Sequence, residues 1–159
     1  MSRQKGVILL ASLVLMLMLG LLSASALQGA LLQARMASNL VQSLRGMEKA
    51  EATMAEGEAR LLQAQPAACT LCQPPASPHD EATHAGQPWH SAREGVYLLQ
   101  NLGPSMRAAH VPGGRMVNLF RVTAVSRTIP GRQVLESIVA LEEGRAPLRI
   151  MWRQRLREP

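Results

Sequence analysis

The residues best equipped for chemistry lie close together: Cys69-Thr-Leu-Cys72, followed by His79 and His84. Three chemistries suit them. Two cysteines in an outward-facing compartment ordinarily pair, and here they would close a short disulfide that staples a loop. With His79 and His84 the same two thiolates would supply the four ligands of a tetrahedral zinc site. A thiol oxidoreductase is the third reading, but it sets its pair at a helix start after a strand, where the thiolate pKa is lowered. The flanks here carry Pro66, Pro74, Pro75 and Pro78 and give no such helix. His90 and His110 stand apart and read as surface histidines.

No further constellation suggests catalysis. The chain has no nucleophile-elbow serine with its glycines, no phosphate loop and no paired carboxylates on a rigid element. Glu142-Glu143 falls in a turn, as solvated charge. The reading is of a protein that is not an enzyme and that implies no cofactor. Net charge is +6, and the stretch from Arg93 onward holds eleven arginines against five acidic residues, so the whole surplus sits there. A basic face suggests nucleic acid or acidic surfaces as partners. One Tyr, one Phe and two Trp are too few for a base-stacking platform, and nucleic acid is not assigned as a partner.

What must position the cysteines is a helix before them and a sheet after them. Val7 to Leu27 runs 21 residues without a charge, and at ~1.5 Å per residue this spans the ~30 Å hydrocarbon core. Arg3 and Lys5 precede it and the next charge is Arg35, so the positive-inside bias sets the amino terminus in the cytoplasm. The apolar stripe continues at Met36, Leu40, Leu44, Met47, Ala50, Met54 and Leu61, which is helical period. Gly46 and Gly57 interrupt it, each a site for a bend or an early end. Pro66 stops the helix, and 63–92 follows as an irregular Pro-rich connection.

Beyond it the period changes to two. A short strand is expected over Val96–Gln100, a turn region over Gly103–Arg115, and a β-branched strand over Val117–Ser126. Ile129-Pro-Gly-Arg132 reads as a turn; Val134–Leu141 fits helix or strand, and its place after a tight turn favours a hairpin partner; Leu148–Leu156 reads as an edge strand with a wet arginine face. About 65 residues of sheet make a marginal core. The helix is needed to complete it.

The fate of the amino terminus admits three readings. Ser23-Ala24-Ser25-Ala26 offers a secretory cleavage pattern, although helix-forming residues continue past it without a break. An uncleaved anchor is the second. The third comes from Lys5-Gly6-Val7, a short basic leader ending in glycine, which resembles a prepilin signal cut after the glycine. Leu32-Gln-Ala-Arg-Met-Ala-Ser-Asn-Leu40 and Glu48-Lys-Ala-Glu-Ala-Thr-Met-Ala-Glu-Gly-Glu58 are similar to the E-x-R-M-A-G-N and A-E-A-A-L-x-x-G-E segments of PilX-type minor pilins of the type IV pilus system. Arg121-Val-Thr-Ala124 and Met151-Trp-Arg-Gln154 resemble, more loosely, that family's closing strands.

The resemblance implies an α+β pilin-like fold: a long membrane-spanning N-terminal helix packed on a small, four-stranded antiparallel sheet. It divides the chain into a leader (1–6), a transmembrane part of the helix (7–27), its periplasmic half (28–62), the connection with the cysteine pair (63–92) and the sheet head (93–159). It implies cleavage between Gly6 and Val7, N-methylation of Val7, and an Ala11 where major pilins carry a glutamate. A buried carboxylate in lipid is costly unless paired, and its absence suits a rare subunit with no pilin above it. Gly20 falls where major pilins melt locally, but no proline accompanies it. The implied partners are the prepilin peptidase, other minor pilins, the major pilin and a tip adhesin. The implied location is the bacterial inner membrane, single pass with the head periplasmic, and then the pilus, in support of adhesion, twitching motility or DNA uptake. A secretion-system pseudopilin would share the leader and helix, and a membrane-anchored zinc or redox module would use Cys69, Cys72, His79 and His84.

Overall fold

The computed structural model of the chain describes residues 3–70, 72–80, 88–127 and 131–157, the first four of them as backbone only. Two compact units divide after Val41. One helix, α1 (Arg3–Gln63), contributes to both. In the first unit every side chain from Val7 to Val41 is exposed, and the helix is long and apolar enough to cross a membrane. Two of its hydroxyls are satisfied within it: Ser12 and Ser23 donate to the Leu9 and Leu19 carbonyls, each at 2.8 Å.

The second unit, Gln42–Pro159, is α+β. Five strands, β1 (His90–Ser91), β2 (Gly95–Ser105), β3 (Val117–Ser126), β4 (Val134–Leu141) and β5 (Leu148–Arg155), form one sheet in chain order, every neighbouring pair antiparallel. The sheet has five strands where four were expected, because two residues of the Pro-rich connection pair with Val96 and Tyr97. β2 also runs past its expected end at Gln100. A bulge between Asn101 and Gly103 keeps the ladder going to Ser105. Gly103 takes a φ of 90° there and the Asn101 Oδ1 accepts its N–H at 2.9 Å, so the residue that signalled a turn forms a kink inside a strand. Of the turn at 129–132, residues 129 and 130 lie outside the described residues. Its flank is fixed by Ser126, which exchanges bonds with Gln133 at 3.0 and 2.9 Å.

Only part of the helical stripe packs. Ala50, Met54 and Leu61 join Tyr97, Leu99, Phe120, Val122, Leu135 and Val139 in one buried cluster, with Met47 half-buried at its margin. Leu44 is 60% exposed while Met54 is 1% exposed. The two helix glycines mark close approach, and α1 runs on past both to Gln63. A methyl on Gly57 would lie 2.9 Å from the Val122 side chain and 3.1 Å from the Tyr97 ring. One on Gly46 would collide with the Gly131 carbonyl. Losing those Cβ atoms costs helix propensity, about 1 kcal/mol each. It lets the helix backbone settle onto the sheet, where burying each large apolar side chain contributes about 1.5–3 kcal/mol.

Candidate functional site

The cysteines sit at the head of a strap, residues 64–70 and 72–80, that leaves the end of α1 and crosses the sheet face away from the helix. Ala64 N–H closes the last helical turn on Arg60 O at 2.9 Å before Pro66 removes the next donor. Asn101, on the β2 bulge, then anchors the strap in three ways. Its Nδ2 donates to Pro66 O at 2.9 Å, its carbonyl accepts Cys69 N–H at 3.1 Å, and its backbone forms a parallel bridge with Ala68. Cys69 and Cys72 are joined in a disulfide, half-buried against this residue.

From Cys72 onward the strap is held by its own carbonyls. Arg121 Nη1 donates to Cys72 O at 2.8 Å, Gln100 Nε2 to Gln73 O at 3.0 Å, Arg155 Nη1 to Pro75 O at 2.7 Å and Arg132 Nη1 to His79 O at 2.8 Å. Pro75 and Pro78 are buried beneath it. A proline-rich segment has carbonyls and few N–H groups, and arginine has donors and no acceptor, so the two chemistries match. His79 Nε2 lies 3.2 Å from Arg155 O, which only accepts, so the hydrogen is on Nε2. Burial, aided by the Arg157 and Arg155 charges and opposed by that bond, holds the His79 pKa below the ordinary imidazole value. Asp80 closes the strap on Arg157 at 2.8 Å.

Beneath the strap lies a charged cluster that the sequence reading did not single out. Glu136, on β4, is fully buried; Arg153 Nε donates to its Oε2 at 2.6 Å, and Arg121 Nε and Arg155 Nη1 approach its Oε1 at 3.9 and 3.8 Å. Arg121 and Arg155 thus face a carboxylate on one side and strap carbonyls on the other. Desolvation lowers the Arg121 pKa, opposed by the Glu136 charge. The legible signal was a single glutamate inside the apolar run Val134–Leu141, facing a strand with arginine at alternate positions. On the helix face a second ion pair ties the unit together: Arg149 Nε and Nη2 grip Glu58 Oε1 and Oε2 at 2.9 and 2.7 Å, and the Ser137 hydroxyl donates to Oε1 at 2.7 Å. The bidentate Glu58 bond raises the Arg149 pKa.

The remaining residues singled out from sequence are placed as follows. Gly6 and Val7 lie within α1, Val7 exposed, and Ala11 is exposed one turn further on. Of the four residues considered for zinc, Cys69 and Cys72 are in the disulfide, His79 is turned to Arg155, and His84 lies outside the described residues. Among the described residues no group of three or more His, Cys, Asp or Glu side chains is arranged to hold a metal ion. His90 stacks on Tyr97 with ring centroids 5.3 Å apart, and His110 is exposed. Compared with known proteins, the chain matches no family model, no curated protein and no solved structure.

Proposed function

We propose that the chain is a PilX-type minor pilin that primes type IV pilus assembly and sits at or near the pilus tip. The observation that carries this reading is the division of labour along α1. Its first part is apolar, free of charge between Lys5 and Arg35, and exposed throughout. Its last part is built into a five-stranded antiparallel sheet through Gly57 and Glu58. Those two residues close the segment by which the chain is similar to PilX-type pilins.

In this reading Arg3 and Lys5 stay on the cytoplasmic side, the head is periplasmic, and a prepilin peptidase cuts between Gly6 and Val7. The exposed leucines and methionines of 7–27 face lipid before assembly and other pilin helices after it. Ala11 brings no carboxylate to another subunit's terminal amine, so the subunit caps a stack and does not propagate it. The test is the amino terminus and intact mass of the membrane-extracted mature protein. An N-methylated chain starting at Val7 is expected; a start at Leu27, or an uncut terminus, overturns the reading. Loss of surface pili in a deletion strain, with protein secretion unchanged, separates the pilus from a secretion-system pseudopilin.

A further inference from the structure

A cleft of about 410 Å³ opens at the end of the sheet where β3 begins and β4 ends. No strap residue lines it. Its floor is apolar: Val117 and Ala140 are buried and Leu148 is partly exposed. Its wall is a charged trio. Arg115 Nη1 and Arg145 Nε both reach the same oxygen of Glu142, Oε2, at 3.4 and 3.2 Å. Glu143 next door is exposed and joins no ion pair among the described residues. Within this trio two guanidinium charges share one carboxylate, so the cleft wall carries a net positive charge, and the Glu143 carboxylate does not line the cleft. Each guanidinium has five N–H donors, of which these contacts engage one. The Arg115 and Arg145 side chains are 39% and 60% exposed, so their remaining donors are within reach of a ligand.

We propose that this cleft binds an acidic segment of a partner protein. An Asp or Glu carboxylate bridges Arg115 and Arg145, and a neighbouring aliphatic side chain rests on Val117, Ala140 and Leu148. Planar guanidinium forks suit a carboxylate. A cavity of this size with an apolar floor and a few convergent polar groups is the ordinary form of a recognition site. Among the described residues no Phe, Tyr or Trp lines it and His110 is its single aromatic ring, which disfavours a nucleic-acid strand needing several stacked bases. The position within the second unit also fits. Gly46 meets Gly131 at the β3–β4 turn, whereas the cleft lies at the opposite ends of those strands. Taking the partner to be a tip component rests on the pilin reading; the recognition chemistry does not.

The experiment titrates the full chain in detergent micelles with acetyl-Val-Glu-Val-amide and with its Gln counterpart, following the amide signals of Val117, Ala140 and Leu148. Saturable shifts are expected for the Glu peptide, with binding weaker by roughly tenfold or more for the Gln peptide and for the Arg145→Gln variant. Glu142→Gln removes the internal competitor and is expected to tighten binding of the Glu peptide. Equal binding of the two peptides, no saturation up to about 10 mM, or unchanged or weaker binding by Glu142→Gln would overturn the proposal. Displacement of the Glu peptide by a short oligothymidylate at lower concentration would also overturn it, in favour of phosphate recognition. The amino-terminal mass is a separate readout, so the pilin reading and the cleft can fail independently.

Discussion

The two faces of the sheet are both covered, and by opposite means. On one, even-numbered residues of β3, Phe120, Val122 and Ala124, meet Ala50, Met54 and Leu61 of α1 in an apolar contact tight enough to need glycine at position 57. On the other, the odd-numbered Arg121 and Thr123 lie with Glu136, Arg153 and Arg155 beneath a proline-rich strap that offers carbonyl oxygens in place of side chains. One strand of period two thus serves two kinds of burial. Apart from the Glu58–Arg149 pair, the helix face is held by area removed from water, and an apolar side chain of similar volume serves there. The strap face is held by hydrogen bonds and ion pairs, with Arg121 Nε, Thr123 Oγ1 and Glu136 Oε1 buried and without a hydrogen-bond partner among the described residues, and removing one charged member leaves the others unanswered.

The contrast can be broken from either side. Phe120→Ala, with its side chain fully buried on the helix face, is expected to lower stability by about 3–5 kcal/mol, read as a fall in the unfolding midpoint of the micelle-held chain. Glu136→Gln leaves three arginines around a neutral amide and is expected to cost about 3 kcal/mol, with faster hydrogen exchange at strap amides than in the helix–sheet cluster. An equal loss of protection in both regions would mean that the faces are not separable. Gly57→Ala would force the added methyl against Val122 and Tyr97 and is expected to cost about 1–3 kcal/mol by overpacking, despite the better helix propensity of alanine.

Smaller effects sharpen the strap alone. Replacing Cys69 and Cys72 by Ser opens a four-residue loop, and about 2 kcal/mol of unfolded-state restriction is lost on the chain-entropy account. Strap amides are expected to exchange faster while β3 and β4 keep their protection. The smallest effect is pH-dependent. Because the His79 pKa is lowered in the folded protein, the unfolded chain binds the extra proton first. Strap docking is complete above the ordinary imidazole value of about 6.5 and weakens as pH falls below it. Limited proteolysis of the strap from pH 7.5 to 5 should show this rise, and His79→Gln should flatten it.

The sequence declared the helix, β3 and β5 because their periods are carried by side chains, as in the stripe at Ala50, Met54 and Leu61 and the alternation from Val117 to Ser126, whereas Val134–Leu141 fits either period and only its place after a turn pointed to β4. It concealed the strap because that contact is made by carbonyls of Cys72, Gln73, Pro75 and His79, which every residue possesses. No residue type announces which carbonyl will be used. The extension of β2 was hidden for a related reason: Gly103 signals a turn, and only the Asn101 side chain, turned back on its own strand, converts the signal into a bulge. Gly46 and Gly57 were read by propensity as weak points, whereas a pairwise distance decides their role.

The ion pair between Glu58 and Arg149 spans 91 positions of sequence, and the bond from Arg155 to Pro75 spans 80. During synthesis the helix and strap leave the ribosome well before the strands that cover them. Closure of long loops comes before the contacts that reward it, so folding of the head is slow by topology. Until β2 to β4 have been made, Met54 and Leu61 lack their apolar partners, and until β5 follows, Glu58 lacks Arg149 and the Pro75 carbonyl lacks Arg155, so the half-made chain is open to chaperones and proteases. Loss of β5 would therefore remove far more than an edge strand.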